Sequence, residues 1–150
     1  MGTTTFTGPI KAGDVLNTTG TAAGSVRNVG FVVMVQTADI TQAGTTSATA
    51  TTICLPANSH IVQAQLLNTA GWSGASGTIS IGTTTSANDL VSAGTASAVG
   101  INTLTPGTDA TRAAKWSNVG TSDVILYALS ANTGTGVGTL VVRYIQAENA

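Results

Sequence analysis

The sequence predicts an all-β protein: an antiparallel β-sandwich, jelly-roll-like, with an extended N-terminal arm. Three observations predict it. Short runs of β-branched residues recur between clusters of Gly, Pro, Asn and Ser. Helical periodicity is almost absent. The chain has 150 residues and 42% hydrophobic content, enough for one domain to bury about 70% of its unfolded surface.

Residues 1–27 read as the arm. The first thirty residues, "MGTTTFTGPIKAGDVLNTTGTAAGSVRNVG", hold seven Thr, six Gly and three charges. Their isolated apolar side chains are poor core material but good pegs for pockets on a neighbour. Residues 28–150 read as the sandwich. "GFVVMVQTAD" (30–39) is a near-continuous apolar run, the pattern of a strand buried on both faces or lying centrally. "ATATTICLP" (48–56) alternates and stops at Pro56. "SHIVQAQLLNT" (59–69) places Ile61, Gln63, Gln65 and Leu67 on one face and His60, Val62, Ala64 and Leu66 on the other. "GTISIGT" (77–83) points Ile79 and Ile81 inward. "SANDLVSAGTASAVG" (86–100) has only Leu90 and Val91 as anchors, so a single turn or a loop is expected. "SDVILYALSA" (122–131) and "GTLVVRYIQAE" (138–148) are the last two strands, and "ANTGTGVG" between them reads as a hairpin loop. Asn-Val-Gly recurs before two strands, at 28–30 and 118–120. Asn28 and Asn118 are expected to form Asx-turns while the glycine takes positive φ. A jelly roll and an immunoglobulin-like sandwich both fit this series of strands.

Charged residues make up 7% of the chain, against about 25% in an ordinary globular protein. The surface must therefore be built from Thr, Ser, Gly, Asn, Gln and Ala. These small side chains lose little entropy when a partner immobilises them, and Lys and Glu are depleted at interface cores. Two readings follow: a surface covered by another protein in use, or a secreted β-protein rich in Thr and Gly. Five scattered Lys/Arg make no basic patch, so no nucleic-acid partner is expected. No apolar run is long enough to span a membrane as a helix, and the first residues carry no basic signal-peptide start. The single Cys54, inside "TTICLP", excludes an internal disulfide and reads as a small buried core residue.

Catalytic chemistry finds little support. The one histidine, His60, follows Ser59 directly, so the two point to opposite faces of a strand and form no nucleophile–base pair. Carboxylates at 14, 39, 89, 109, 123 and 148 form no dyad in sequence, and no calcium loop or phosphate-binding loop occurs. "GTGVGT" (134–139) links two strands rather than opening a helix, so it is no dinucleotide site. No cofactor or metal is expected. Trp72 and Trp116 lie near loops. Their readings are a sugar platform in a carbohydrate- or receptor-binding module, or a plug at the end of the sandwich or a loop interface.

"FTGPIKAG", "NVGFVVMVQ", "ICLPANSHIVQAQL", "GTISIGT", "WSNVGTSDVILYAL" and "GTGVGTLVVRYIQ" together resemble the head decoration, or cement, proteins of tailed bacteriophages. The resemblance implies a protein on the outer surface of a virion, with the major capsid protein and its own copies as partners. A homotrimer is the expected assembly and a dimer the alternative. The arm would add a strand to an edge on a neighbour, with Phe6, Pro9, Ile10, Val15 and Leu16 as anchors and Lys11 and Asp14 paired across the contact. The rival reading is a phage tail, fibre or receptor-binding module.

Overall fold

The computed structural model describes residues 33–74 and 77–146. They form β1 (Val33–Thr41), β2 (Thr49–Leu55), β3 (Ser59–Ala70), β4 (Thr78–Gly82), β5 (Val91–Thr95), β6 (Gly100–Leu104), α1 (Ala110–Ser117), β7 (Val124–Ser130) and β8 (Val137–Gln146). Two antiparallel four-stranded sheets result: sheet A in the order β1-β8-β3-β6 and sheet B in the order β2-β7-β4-β5. Pairs β1–β8, β2–β7, β3–β6 and β4–β5 are all adjacent. The chain is thus a two-stranded ribbon, turned back between β4 and β5 and wrapped into two layers. That is jelly-roll order, and it separates the two sandwich topologies that the sequence leaves open.

The core lies between the sheets and follows the two-residue period of each strand. Ile53 and Leu55 of β2, Leu126 of β7 and Ile79 of β4 are closed off from solvent, as are Leu66 of β3 and Leu140 of β8 in the opposite layer. Cutting one such leucine back to alanine costs about 2–5 kcal/mol in a packed core.

Three strand-level expectations need correction. β1 is an edge strand of sheet A, not a central one, and exposes Val33 and Val35. Cys54 is exposed: Ile53 and Leu55 on either side of it face inward, so the pleat turns Cys54 out. In β3 a bulge between Ile61 and Gln63 inserts Val62 as an extra residue, and Ile61 joins Ala64 and Leu66 on the inner face. Tyr144 is a core residue, whereas Tyr127 lies half-buried on the outer side of sheet B.

Three elements, β5, β6 and α1, are absent from the sequence reading. Within 86–100, where a turn or loop is expected, Val91–Thr95 forms β5, which pairs with β4 as an edge. The segment has weak β-propensity and is a strand because β4 supplies its hydrogen bonds. The helix α1 also forms, although almost no helix is expected. Its start is readable in retrospect: Asp109 accepts the Arg112 N–H at 2.9 Å as an N-cap, ahead of an Ala-rich turn. The Asn-Val-Gly expectation holds at its second copy. Gly120 donates its N–H to Asn118 Oδ1 at 2.8 Å and has φ +127. Asn28 lies outside the described residues, as do Phe31 and the proposed boundary at 27/28.

The segment 131–136 is not a hairpin loop, because β7 and β8 lie in different sheets. It crosses one end of the sandwich and is held there by a buried amide. Gln42 is fully buried. Its Nε2 donates to Ser73 O at 2.7 Å and Asn132 O at 3.4 Å, and its Oε1 accepts from the N–H of Ser73 at 3.0 Å and of Gly136 at 3.3 Å. Its own N–H bonds Gly136 O at 2.8 Å. The glycines of "GTGVG" make this approach possible. A Cβ on Gly134 would collide with the Gln42 amide, one on Gly136 with the Trp72 indole, and one on Gly138 with Asn68 and the Leu67 carbonyl. The Gly-x-Gly-x-Gly pattern is therefore a packing device.

Replacing Gln42 with alanine is expected to strand several backbone groups and lower stability by about 2–4 kcal/mol. Gly136→Ala is expected to cost about 1–3 kcal/mol through overpacking against Trp72. Urea unfolding checks both, with a fall in midpoint at unchanged slope as the expected result.

Candidate functional site

The described charges are unevenly placed. Asp89, Asp109, Arg112, Lys115 and Asp123 all lie in the connections β4–β5 and β6–β7, at one end of the sandwich. Their carboxylates serve the backbone. Asp89 accepts the Thr83 N–H at 2.6 Å, Asp123 the Ala57 N–H at 2.9 Å, and Asp109 caps α1. The opposite end, built from the connections β1–β2, β3–β4, β5–β6 and β7–β8, has no charged residue at all. There neutral amides do the joining. Besides Gln42, Asn68 donates to Ala96 O at 2.6 Å and Asn102 to Ala98 O at 2.8 Å.

The outer face of sheet A is the most unusual surface. Of the eight large hydrophobic side chains exposed among the described residues, six project from its strands: Val33, Val35, Val62, Leu67, Ile101 and Val137. Val99 borders it at the start of β6, and only Ile125 lies on sheet B. Ile101 is 67% exposed and Val35 52%. Strand register arranges the face in rows: Val35–Arg143–Gln63, then Thr37–Val141–Gln65–Thr103, then Asp39–Thr139–Leu67–Ile101. Arg143 and Asp39 are its only formal charges. Arg143 donates to Gln63 Oε1, and Asp39 accepts from Thr139 Oγ1 at 2.9 Å. Scattered surface valines are ordinary, but six exposed aliphatic side chains gathered on one sheet face mark it as a contact surface.

The remaining candidates sit elsewhere. Trp72 is 2% exposed and packs in the core at the uncharged end, so it plugs the sandwich and offers no stacking surface. Trp116, the anchor of α1, is half-buried against the core, and its indole N–H donates to Leu90 O at 2.9 Å. The two indoles lie in separate parts of the fold and make no shared platform. His60 is exposed on the outer side of β3, one row from Arg143. A cavity of about 140 Å³ opens between the edge strands β1 and β2; Asp39 is its one titratable group, among threonines. No group of three His, Cys, Asp or Glu among the described residues converges on a metal position. The arm anchors Phe6, Pro9, Ile10, Lys11, Asp14, Val15 and Leu16 lie outside the described residues.

The sheet A face was missed because no single strand announces it. Each of β1, β3 and β6 contributes one or two apolar residues on the wrong side of a good alternation. Only the strand order brings them together, along with the bulge at Val62.

No family model and no curated protein matches the sequence. A solved chain titled "Cyanophage Pam1 capsid asymmetric unit" has a similar fold, with a TM-score of 0.57 and 18% identity. The likeness covers 92% of this chain and 100% of that one.

The helix cap gives a pH test of the charged end. The Arg112 N–H, and after it the Arg112 guanidinium at 3.6 Å, holds the Asp109 carboxyl below the usual carboxylate range. A depressed pKa means the stabilisation is full above the unfolded-state value and lost as pH falls through the folded one. Asp109→Ala is expected to be less stable than wild type at neutral pH. That gap should narrow below about pH 4, as measured by urea unfolding at a series of pH values.

Proposed function

We propose that this protein is a head decoration, or cement, protein of a tailed phage, seated on the outside of the shell and bridging major capsid subunits. The observation that carries the reading is the whole-length likeness of fold to a small chain from a cyanophage capsid. A surface with few charges and an open aliphatic sheet face supports it, since both favour prolonged burial against other proteins. The role is structural, with no cofactor and no catalytic group. The rival carbohydrate-binding module needs an open aromatic platform, and neither Trp72 nor Trp116 supplies one.

In this reading the arm is the clamp. Its backbone adds a strand to an edge of a shell subunit, and Phe6, Pro9, Ile10, Val15 and Leu16 enter pockets beside it, with Lys11 and Asp14 at the rim. Each arm contact is weak alone. Copies joined to one another make the next contact intramolecular, so avidity exceeds a single site by about 10² or more.

Co-sedimentation with expanded shells that lack the protein tests the proposal. The full chain is expected to bind saturably, and a version starting at Arg27 to lose binding. His60→Ala is expected to bind as wild type. Saturable binding that survives truncation would keep the decoration role and move the contact to the sandwich. No binding by the full chain would overturn the role.

A further inference from the structure

We propose that the outer face of sheet A is a two-fold interface between two copies of this chain. The inference concerns contacts between copies, and it is tested without any shell.

The first argument is charge. The face carries one positive and one negative group, Arg143 and Asp39, on an otherwise neutral surface. Among the described residues the only ion pair is Arg112–Asp109, so neither group has an opposite-charge partner among them. Asp39 lies four residues along β1 from Val35, the residue opposite Arg143 on the neighbouring strand. The two groups are therefore about 14 Å apart, too far to pair within one copy. Both heads are steadied along the face, Arg143 by Gln63 and Asp39 by Thr139.

Two faces meeting about a two-fold axis that bisects the Arg143–Asp39 line form two ion pairs at once. Each Arg143 then meets the partner's Asp39. This is the self-complementarity that an isologous contact requires.

The second argument is where that axis falls. In the plane of the sheet it crosses the Thr37–Val141 pair at the centre of the face. It then runs between Gln65 and Leu67 on β3 and passes beside Ile101 on β6. Ile101 therefore meets its own copy, which covers the most exposed aliphatic group on the face. Small side chains at the centre let the sheets approach, and the aliphatic residues close the contact.

The third argument is size. Four strands of five to twelve residues present about 600 Å² per copy at ordinary strand spacing and rise. Two copies bury about 1,200 Å² in total, the lower end of what a stable specific interface needs. A two-fold pair corresponds to the dimer alternative, and not to the trimer, that the family resemblance implies. The chain enters sheet A at Val33, so a pair carries two arms.

The test is sedimentation equilibrium of the full chain with charge-reversal variants at exposed positions. Wild type is expected to be a dimer. Asp39→Arg places two positive groups at each contact and Arg143→Asp two negative ones. Each single variant is expected to weaken the dimer about a hundredfold, given that close interfacial charge pairs couple strongly. Mixing the two single variants regenerates both opposite-charge contacts, so a one-to-one heterodimer is expected. The double variant D39R/R143D is expected to dimerise as wild type does. Ile101→Lys is expected to be monomeric. A wild-type monomer or trimer would overturn the proposal, and so would a dimer indifferent to all of these changes. A monomer that binds shells and loses that binding with Ile101→Lys would assign the face to the shell instead. The proposed function would then stand while this inference fell.

Discussion

The closed end of the sandwich depends on one neutral amide. Gln42 leaves the end of β1 and binds the chain where β3 departs, where β7 departs and where β8 begins. In a jelly roll those three points belong to segments far apart in sequence, and wrapping the ribbon is what brings them together. A charged group in that position would face a large desolvation cost, whereas a carboxamide offers both a donor and an acceptor to backbone groups that need them. The three glycines of "GTGVG" remove the Cβ atoms that would keep Gln42, Trp72 and Asn68 from reaching the crossing segment.

The same economy of charge runs through the molecule. Amides join the loops at one end, and carboxylates cap backbone groups at the other. Gln36 extends the pattern to the open side of the sandwich. Its side chain exchanges hydrogen bonds with both backbone groups of Cys54, at 2.6 and 2.9 Å, and donates to the Tyr144 hydroxyl at 2.8 Å. It thereby ties the edge of sheet A to the edge of sheet B, where the register of β2 slips. A protected edge of this kind limits unwanted strand addition. Low charge therefore has a structural account at the loops and edges, and the two proposals give it a functional one on the face of sheet A.

A decoration protein needs a rigid body, a grip on the shell and a way to share load between neighbours. The sandwich supplies the first through its leucine and isoleucine core. In the proposed reading the arm and the sheet A face divide the other two between them. The division is physically sensible, because an extended segment gains affinity from backbone pairing, while a preformed sheet face loses little entropy on association.

What the sequence determined by itself was the class of the fold and most of its strands. Alternation of β-branched residues is a local property, and it placed β2, β4, β7 and β8 within a few residues. Asn118-Val119-Gly120 likewise carried its turn chemistry in its own atoms. Three features were decided only by the tertiary structure. β5 is a strand because β4 lies beside it. Cys54 and Ile61 take their sides from a neighbouring pair and a bulge, and not from hydrophobicity. The sheet A face exists because strands β1, β8, β3 and β6, with Val33 of β1 paired to Ile145 of β8, become neighbours. Local propensity acts over a few residues and cannot see strand order, so a surface assembled across four strands is visible only once the ribbon has wrapped.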